Sequence, residues 1–381
     1  SRSAMLPNVG AKVEGQRYDN RYGGRASEAD PEVRSLSGGV DVSWEIDLSG
    51  RLRAGAKAAA ADAVGAEHGM RGVRLLALTD VATSYFTLVG AARQLETVRA
   101  ISAAHDETLR LVTARQRVGL ATAFDVERAQ TDAARARAAI PPLETLAVQS
   151  RHRIAVLIGD QAFNAAAVVP SAAELHVPAA RPGQPASLLE RRPDLLALKS
   201  QLDAANWRRQ QAKAEYFPRL VASALFGRQS AEAGNFDLGA TRFSLVSGLI
   251  TMPLFNWGRT QAINETAKAG QAEALLRMED GIVRALEDVE NTLVALRDER
   301  QRAGHLQAAA ASAESALGRA QSLYNRGQID LLPLLDAQRT QLSVQLSATD
   351  SRTQLLLDSV QLYKALGGGW QAFEPSKKEP S

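Results

Sequence analysis

The chain has 381 residues, of which 45% are hydrophobic but only 5% aromatic, because much of the apolar content is alanine. Lys and Arg (45) nearly balance Asp and Glu (42) and the charges are interspersed, which argues against a nucleic-acid-binding protein. The absence of cysteine excludes disulfides and thiolate chemistry, and no run approaches the roughly 18 apolar residues of a membrane helix. The chain opens Ser1-Arg2-Ser3 without a starting Met, so we expect any targeting segment to lie outside it.

One sequence pattern occurs twice, at a constant offset of 208 positions. The matching positions are Gly50-Arg51 with Gly258-Arg259, Asp80-Val81 with Asp288-Val289, Gly119 with Gly327, Ala129-Gln130 with Ala337-Gln338, and Gly159 with Gly367. No insertion separates these pairs. A repeat of this length predicts one fold built from two halves, each of which needs the other to close the architecture.

The first repeat, residues 1–164, begins with a predicted β-hairpin over about 7–48. Pro7 starts an extended segment, because the residue before a proline is driven away from helix. From Val40 to Leu48 apolar and polar residues alternate strictly, which is the period of a strand with one apolar and one polar face. The polar face carries Asp41, Glu45 and Asp47, and a polar loop over 19–38 is predicted to join the two strands.

A long helical hairpin is predicted next, over about 52–159. The segment 52–117 is rich in alanine and contains no proline, so it predicts a single helix of about 100 Å at a rise of 1.5 Å per residue. Gly119 predicts a tight turn, after which the chain returns with a kink expected at Pro141-Pro142. Only six residues precede Pro7, so we expect the first repeat to lack the helix that opens the second.

Four prolines predict an irregular linker over 165–187, and the second repeat then covers 188–369. It comprises an opening helix over 188–217, a β-hairpin over about 219–253 with a loop at 229–241, and a helical hairpin over about 259–367 that turns at Gly327. Its strands are predicted mainly from the repeat, because Ser, Gly and extra apolar residues blur the alternation. Thr349-Asp350 replaces the double proline of the first copy, and residues 370–381 form a tail.

Four amphipathic strands are too few to close a barrel. Bacterial membrane barrels begin at about eight strands, and lipid tolerates no open sheet edge. If these strands cross a membrane, several copies of the chain must therefore combine their strands into one barrel. The alternation also fits an edge of a soluble sandwich, but the long hairpins and the second copy favour a membrane barrel. The pattern predicts a conduit rather than a catalyst.

Several separated motifs follow one another along nearly the whole chain. They are Glu190-Arg191-Arg192-Pro193-Asp194, Ala214-Glu215-Tyr216-Phe217-Pro218, Pro253-Leu254-Phe255-Asn256-Trp257-Gly258-Arg259, Tyr324-Asn325-Arg326-Gly327, the stretch 332–338, and Leu362-Tyr363-Lys364-Ala365-Leu366-Gly367-Gly368-Gly369-Trp370. With these motifs the chain resembles the TolC/OprM-type outer-membrane efflux factors, in particular their NodT-like lipoprotein branch. Many members of that family carry a lipidated cysteine at the N-terminus.

The resemblance implies a mainly α fold with a small β part. Three chains would form a twelve-stranded barrel in the outer membrane of a Gram-negative bacterium, with four strands from each, and the helical hairpins would form an α-barrel in the periplasm. Asp41, Glu45 and Asp47 would then face the lumen. The implied partners are outer-membrane lipid, a periplasmic adaptor and an inner-membrane pump that supplies energy for exporting drugs or other small molecules. No cofactor, metal or nucleic acid is implied.

The resemblance also implies a gate at the periplasmic end. The family's aliphatic and acidic rings fall on Leu332 and Asp336, with Tyr324 one turn before Gly327. Where some relatives have an arginine before that tyrosine this chain has Leu323, so we expect no ion-pair lock there. The adaptor is expected at the two hairpin turns, which are Val118, Gly119 and Leu120 in the first and Arg326 and Gly327 in the second.

Simpler interpretations remain at each position. Gly119 and Gly327 also fit ordinary left-handed turns, Leu332 fits a helix core, and Asp336 fits a solvated carboxylate. The five histidines are scattered without metal-ligand spacing, and the run Gly367-Gly368-Gly369 lacks the following helix that a nucleotide site needs. Two other classes of protein remain open: a pore-forming toxin, which also combines long helical hairpins with β-hairpins, and a soluble coiled-coil scaffold, in which the predicted strands would be misread.

Overall fold

The computed structural model describes residues 2–18, 33–160, 188–233 and 236–368. The predicted linker 165–187, the tail 370–381 and most of the predicted loop 19–38 lie outside them. After a 3-10 turn at Arg2–Met5, the elements are β1 (Asn8–Tyr18), β2 (Val33–Ile46), α1 (Arg51–Arg117), α2 (Ala123–Ala138), α3 (Ile140–Ile158), α4 (Leu188–Arg191), α5 (Pro193–Ala214), β3 (Arg219–Ala233), β4 (Phe236–Thr251), α6 (Arg259–Asn325) and α7 (Leu331–Ala365).

The 208-residue repeat is structural. Helices α1 and α6 both have 67 residues, and their first and last residues are related by the same offset. Three pairs of glycines lie before, between and after the helices of the two hairpins, and each pair has matching left-handed φ angles. The angles are 78° and 82° at Gly50 and Gly258, 73° and 71° at Gly119 and Gly327, and 71° and 68° at Gly159 and Gly367. The predicted long helices are therefore confirmed.

The two return helices differ as the prolines predict. The first is divided into α2 and α3 at Ala139, and the double proline occupies the first turn of α3, where its missing N–H groups need no partner. In the second copy α7 runs unbroken through Thr349 and Asp350.

Three predicted boundaries are wrong. The opening helix 188–217 is divided at Arg192 into α4 and α5, because a residue that precedes a proline, here Pro193, is kept out of helical geometry. The loop predicted over 229–241 is mostly strand, since β3 continues to Ala233 and β4 begins at Phe236 around a bulge between Ser230 and Glu232. Strand β2 ends at Ile46, so Asp47 and Leu48 lie beyond it.

The strands form one antiparallel sheet in the order β1-β2-β3-β4. Gly39 and Gly227 lie directly opposite each other in β2 and β3. A Cβ at Gly39 would stand 2.5 Å from the carbonyl oxygen of Phe226, and one at Gly227 would stand 2.5 Å from that of Gly38. The two middle strands therefore approach too closely at this point for any side chain.

One face of the sheet is largely apolar and lies open in the single chain. Directly opposed residues of paired strands lie on the same face of the sheet. Val40 of β2 therefore shares a face with Phe226 of β3, and Val42 shares it with Ala224 of β3 and, one strand further, with Val246 of β4. Exposed apolar residues on this face are Val9, Val13, Leu36, Val40, Trp44, Phe226, Val246 and Ile250. So large an exposed apolar surface indicates contact with lipid or another chain.

The described residues divide into two compact units. The first, Ser1–His68 with Leu196–Gly281, contains the sheet and packs α5 against both long helices: Gly55 of α1 lies against Gln211, and Asn264 of α6 donates to the carbonyl oxygen of Ala212. The second unit is Gly69–Leu195 with Ile282–Ser381. Each unit contains parts of both repeats, so the repeat boundary is not a spatial boundary.

In the second unit, Arg192 joins three segments. Its guanidinium donates to both carboxylate oxygens of Asp194 (3.1 and 2.8 Å), to Asp288 of α6 (3.1 Å) and to the carbonyl oxygens of Ala285 and Ala365. Its own main chain packs against Gly367, where an added Cβ would stand 2.8 Å from the Cα of Arg192. The break before Pro193 thus places an arginine at the base of the second helical hairpin.

Helix α1 contains an 18-residue window with a mean hydropathy of 1.4, of which 33% is buried. By length and composition alone it is apolar enough to cross a membrane, so the expectation that no such stretch exists is wrong for α1. The helix also supplies Leu88 and Ala91 to a buried core, and a single core helix passes the same test.

Candidate gate and docking turns

The turn between α1 and α2 exposes apolar side chains at the end of a capped helix. The N–H of Gly119 donates to the carbonyl oxygen of Gln116 (3.0 Å), and the N–H of Leu120 donates to that of Arg115 (2.9 Å), which is the Schellman pattern. The side chains of Val118 and Leu120 are 69% and 76% exposed.

The turn between α6 and α7 repeats this geometry. The N–H of Gly327 donates to the carbonyl oxygen of Tyr324 (3.0 Å), and the N–H of Gln328 donates to that of Leu323 (2.9 Å), both at the offset of 208. Arg326 and Gly327 are exposed. The predicted tight turns are confirmed, and both expose the residues expected to meet a partner.

The helices that leave the two turns begin differently. Thr122 and Asp125 form a capping box at α2, in which the N–H of Asp125 donates to the Thr122 hydroxyl and the N–H of Thr122 donates to the Asp125 carboxylate. The N–H and the hydroxyl of Thr122 both donate to the Asp125 carboxylate and hold its pKa below the usual range. Asp330 caps α7 without a side-chain bond, so the second turn is less firmly closed.

A small core lies beneath the turns. Tyr324 is 3% exposed and packs with Val112, Leu334 and Leu335. The guanidinium of Arg115 lies 4.3 Å from the centre of the Tyr324 ring and donates to its carbonyl oxygen. Tyr324, expected with the gate, thus lies in this core and joins the two hairpins.

Leu332 and Asp336 lie together on the opposite face of α7. They are one helical turn apart and both are exposed, Leu332 to 51%, whereas Leu331, Leu334 and Leu335 are buried. Leu332 is therefore not a core residue of the single chain. The structure brings these two predicted gate residues onto one free surface and leaves Tyr324 apart from them.

An ion pair one turn beyond Asp336 ties the hairpins together. Arg339 of α7 donates Nε and Nη2 to the two carboxylate oxygens of Asp132 on α2, at 2.9 Å each. The side chain of Asp132 is 2% exposed. The hydrogen bond to Asp132 raises the pKa of Arg339, and the charges of Asp132 and Asp336 add to the effect. Beside it, the Nε2 of Gln338 donates to the hydroxyl of Thr108 at 2.8 Å.

Sequence reasoning missed this pair, which we call the hairpin clasp (Asp132 and Arg339). No local signal points to it, because its members are 207 residues apart and neither belongs to a recognised motif.

The three acidic residues expected on the polar strand face separate into two groups. Asp41 and Glu45 lie within β2, and Glu45 accepts a bond from Arg51. Asp47 instead accepts from the N–H groups of Leu52 and Arg53 at the start of α1. Burial alone would raise the pKa of Asp47, but these bonds together lower it, so Asp47 caps a helix as a carboxylate.

Comparison with known proteins agrees with this architecture. The family model described as outer membrane efflux protein matches residues 1–160 and 185–368. The chain is 31% identical over 372 residues to outer membrane protein OprJ of Pseudomonas aeruginosa, covering 97% of this chain and 78% of OprJ. It is also 31% identical over 379 residues to the pyoverdine export outer membrane protein OpmQ of the same organism, covering 97% and 78%.

A solved structure extends the similarity to three dimensions. The crystal structure of a membrane protein from Pseudomonas aeruginosa matches with a TM-score of 0.86 at 30% sequence identity, covering 96% of this chain and 85% of that one. Proteins of this family are transport ducts of the outer membrane that combine helical and β-barrels, and they are not enzymes. The toxin and scaffold hypotheses are therefore excluded. The chain belongs to the outer membrane efflux protein family.

Proposed function

We propose that three copies of this chain form the passive outer-membrane exit duct of a tripartite efflux pump, closed at the periplasmic hairpin turns and opened by partners. The exposure of Leu332 and Asp336 carries this proposal, because both lie on a solvent-exposed face of α7 while Leu331, Leu334 and Leu335 pack into the core beneath the turns. Three leucines around one axis make a dry constriction. Three carboxylates around the same axis attract cations and repel one another.

The sheet supports assembly from several copies. β1 and β4 are its edges, and each leaves one side of its backbone unpaired in the single chain. Unsatisfied backbone groups are expensive in lipid, so β4 of one copy is expected to pair with β1 of the next. Three sheets of four strands then close a twelve-stranded barrel with Asp41 and Glu45 facing its lumen.

The internal repeat also supports contact between neighbouring copies in the helical part of the first unit. On α1, Gly55, Asp62 and Gly65 form the face that α5 covers, through Gln211, Arg208 and Ser200 respectively. An offset of 208 carries these positions to Ile263, Gly270 and Glu273 of α6, which line an open groove of about 900 Å³. The other wall of this groove is α5, which contributes Arg208 and Gln211, so α5 covers this face of α6 only in part. Head-to-tail packing with a neighbouring copy would fill the groove.

The clasp supports a mechanism for opening. It fixes α7, and with it Leu332 and Asp336, to α2 of the first hairpin. The adaptor is proposed to dock on Val118, Gly119, Leu120, Arg326 and Gly327, and an inner-membrane pump is proposed to supply the energy. A partner that binds both turns can move one hairpin against the other only by weakening the clasp.

The gate is tested by single-channel conductance of the purified trimer in a planar bilayer. Leu332→Ser and Asp336→Ala are expected to raise the conductance of the closed channel several-fold, because they remove the apolar and the charged constriction. Ser315→Ala, a change at an exposed position of α6 away from the gate face, is the control and should behave as wild type. Unchanged conductance in both gate variants would contradict the assignment.

The docking turns are tested by drug accumulation in cells that lack their own channel. Gly119→Trp and Gly327→Trp should abolish efflux while leaving the trimer assembled in the outer membrane, because both glycines face open space. Gly159→Trp, at a glycine that has the same left-handed φ and also meets no heavy atom of the described residues within 4 Å, is the matched control. Normal efflux from both turn variants would refute docking at these positions.

A further inference from the structure

A buried histidine next to the hairpin clasp has no role in the proposed duct. His105 of α1 is 2% exposed, and neither its Nδ1 nor its Nε2 has a hydrogen-bond partner among the described residues. An imidazole buried in this way is stable only when neutral, because a desolvated charge without a hydrogen bond is costly.

Charged groups surround His105 from three helices of the second unit. α1 contributes Asp106, whose carboxylate accepts from Arg137 of α2. α2 also contributes Asp132, and α7 contributes Arg339, so both members of the clasp act on the imidazole. Burial lowers the pKa of His105, the carboxylates of Asp132 and Asp106 oppose this shift, and the Arg339 charge reinforces it.

A second buried polar atom lies in the same layer. The Oε1 of Gln338 has no partner among the described residues, while its Nε2 donates to Thr108, one turn after His105 on α1. Water admitted between α1 and α7 would satisfy Gln338 and both ring nitrogens at once. None of these three atoms has a protein partner among the described residues, and an arrangement in which α7 moved away from α1 would expose all three to solvent.

We propose that His105 is a proton-operated release for the hairpin clasp, so that acidification of the periplasm favours opening of the duct. A protonated His105 competes with Arg339 for the carboxylate of Asp132 and draws water into the layer. Arg339 is then free to leave α2, and α7 moves with Leu332 and Asp336. This inference rests on the proposed gate and adds its regulation.

The direction of the pH dependence follows from linkage. In the opened, hydrated arrangement His105 has an ordinary pKa of about 6.5, and in the closed arrangement its pKa is lower. The opened arrangement thus binds more protons. The closed arrangement keeps its full stability above about pH 6.5 and loses it as the pH falls, by up to about ten-fold in the closed-to-open ratio per pH unit and per copy.

Open probability of the purified trimer in a planar bilayer, measured between pH 7.5 and 5.5, tests the proposal. Wild type should open increasingly below about pH 6.5. His105→Leu and His105→Gln, which cannot be protonated, should stay closed throughout, and His152→Leu, at an exposed histidine of α3, should titrate as wild type does.

Each outcome is decisive. A wild-type channel whose open probability is constant across the window refutes the release, whatever the variants do. A pH response that persists in both His105 variants assigns it to another group and also refutes the release. In either case an intact, conducting trimer leaves the proposed function standing, whereas the absence of any trimer or conductance would refute that function instead.

Discussion

Gly159 and Gly367 offer a matched pair for testing how the base of the second helical hairpin is held. Both end a return helix, both have a φ near 70°, and they are related by the repeat. An added Cβ at Gly159 meets no heavy atom of the described residues within 4 Å, whereas one at Gly367 stands 2.8 Å from the Cα and Cγ of Arg192. Alanine therefore introduces the same backbone strain at both positions but a steric conflict at only one.

The magnitudes separate the two variants. Left-handed geometry costs an alanine about 1–2 kcal/mol, which is all that Gly159→Ala should lose. At Gly367 the neighbour is main chain that cannot rotate away, so overpacking adds about 1–3 kcal/mol. Displacing Arg192 also disturbs its bonds to Ala365 and Asp288. Gly367→Ala should therefore lose about 2–5 kcal/mol in total.

The assay is thermal unfolding of the detergent-solubilised trimer at one heating rate and one protein concentration, because the midpoint depends on both. At about 2 °C per kcal/mol, Gly159→Ala should lower the midpoint by about 2–4 °C and Gly367→Ala by about 4–10 °C. Equal shifts would refute the steric reasoning. A smaller shift for Gly367→Ala would mean that Arg192 does not fix this end of α7.

Two further changes test the caps and the sheet. Thr122→Ala should destabilise the first turn by about 1 kcal/mol, because it removes the capping box of α2. Asp330→Ala removes no side-chain cap bond and should be nearly neutral. Local hydrogen exchange at the starts of α2 and α7 measures both effects. Gly39→Val should prevent assembly in the outer membrane, because its side chain would collide with β3. The control, Gly248→Val, faces open space and should assemble. Membrane fractionation measures the yield of both variants, and comparable yields would contradict the close approach at Gly39.

The helical part of the fold is predictable because glycine marks its ends. Gly50, Gly119 and their partners 208 residues on all adopt left-handed φ, so sequence identity between the copies located both long helices within a residue or two. The double proline likewise predicted the break between α2 and α3. In each case one residue type fixes the backbone locally, whatever the tertiary contacts are.

The strands and the opening helix were less predictable. Strand β3 continues through Gln229 and Ser230, whose polarity suggested a loop, because pairing with β2 on one side and β4 on the other outweighs their weak intrinsic preference. Pro193 was visible in the sequence, yet the repeat offered no first copy of that helix for comparison. The break there follows from proline chemistry alone.

The candidate site was predictable only in part. Leu332 and Asp336 share a helix face by their spacing, and the structure leaves that face exposed. The burial of Tyr324 could not be foreseen, because it depends on Arg115 and Val112 from the other hairpin. The clasp was invisible for the same reason: a contact between residues 207 positions apart is set by how the two hairpins dock.

The order of the strands in the sheet also affects whether mutations in this chain behave as dominant or recessive. Because β1 and β4 are its two edges, each chain in a closed ring offers one edge to the copy on its left and the other to the copy on its right. A single defective chain therefore opens the ring it joins, even when its neighbours are intact. In a cell that makes normal and defective chains together, the fraction of sound ducts falls as the cube of the normal share in the proposed trimer. Mutations that spoil one edge strand should accordingly behave as dominant, whereas those that abolish synthesis of the chain should be recessive.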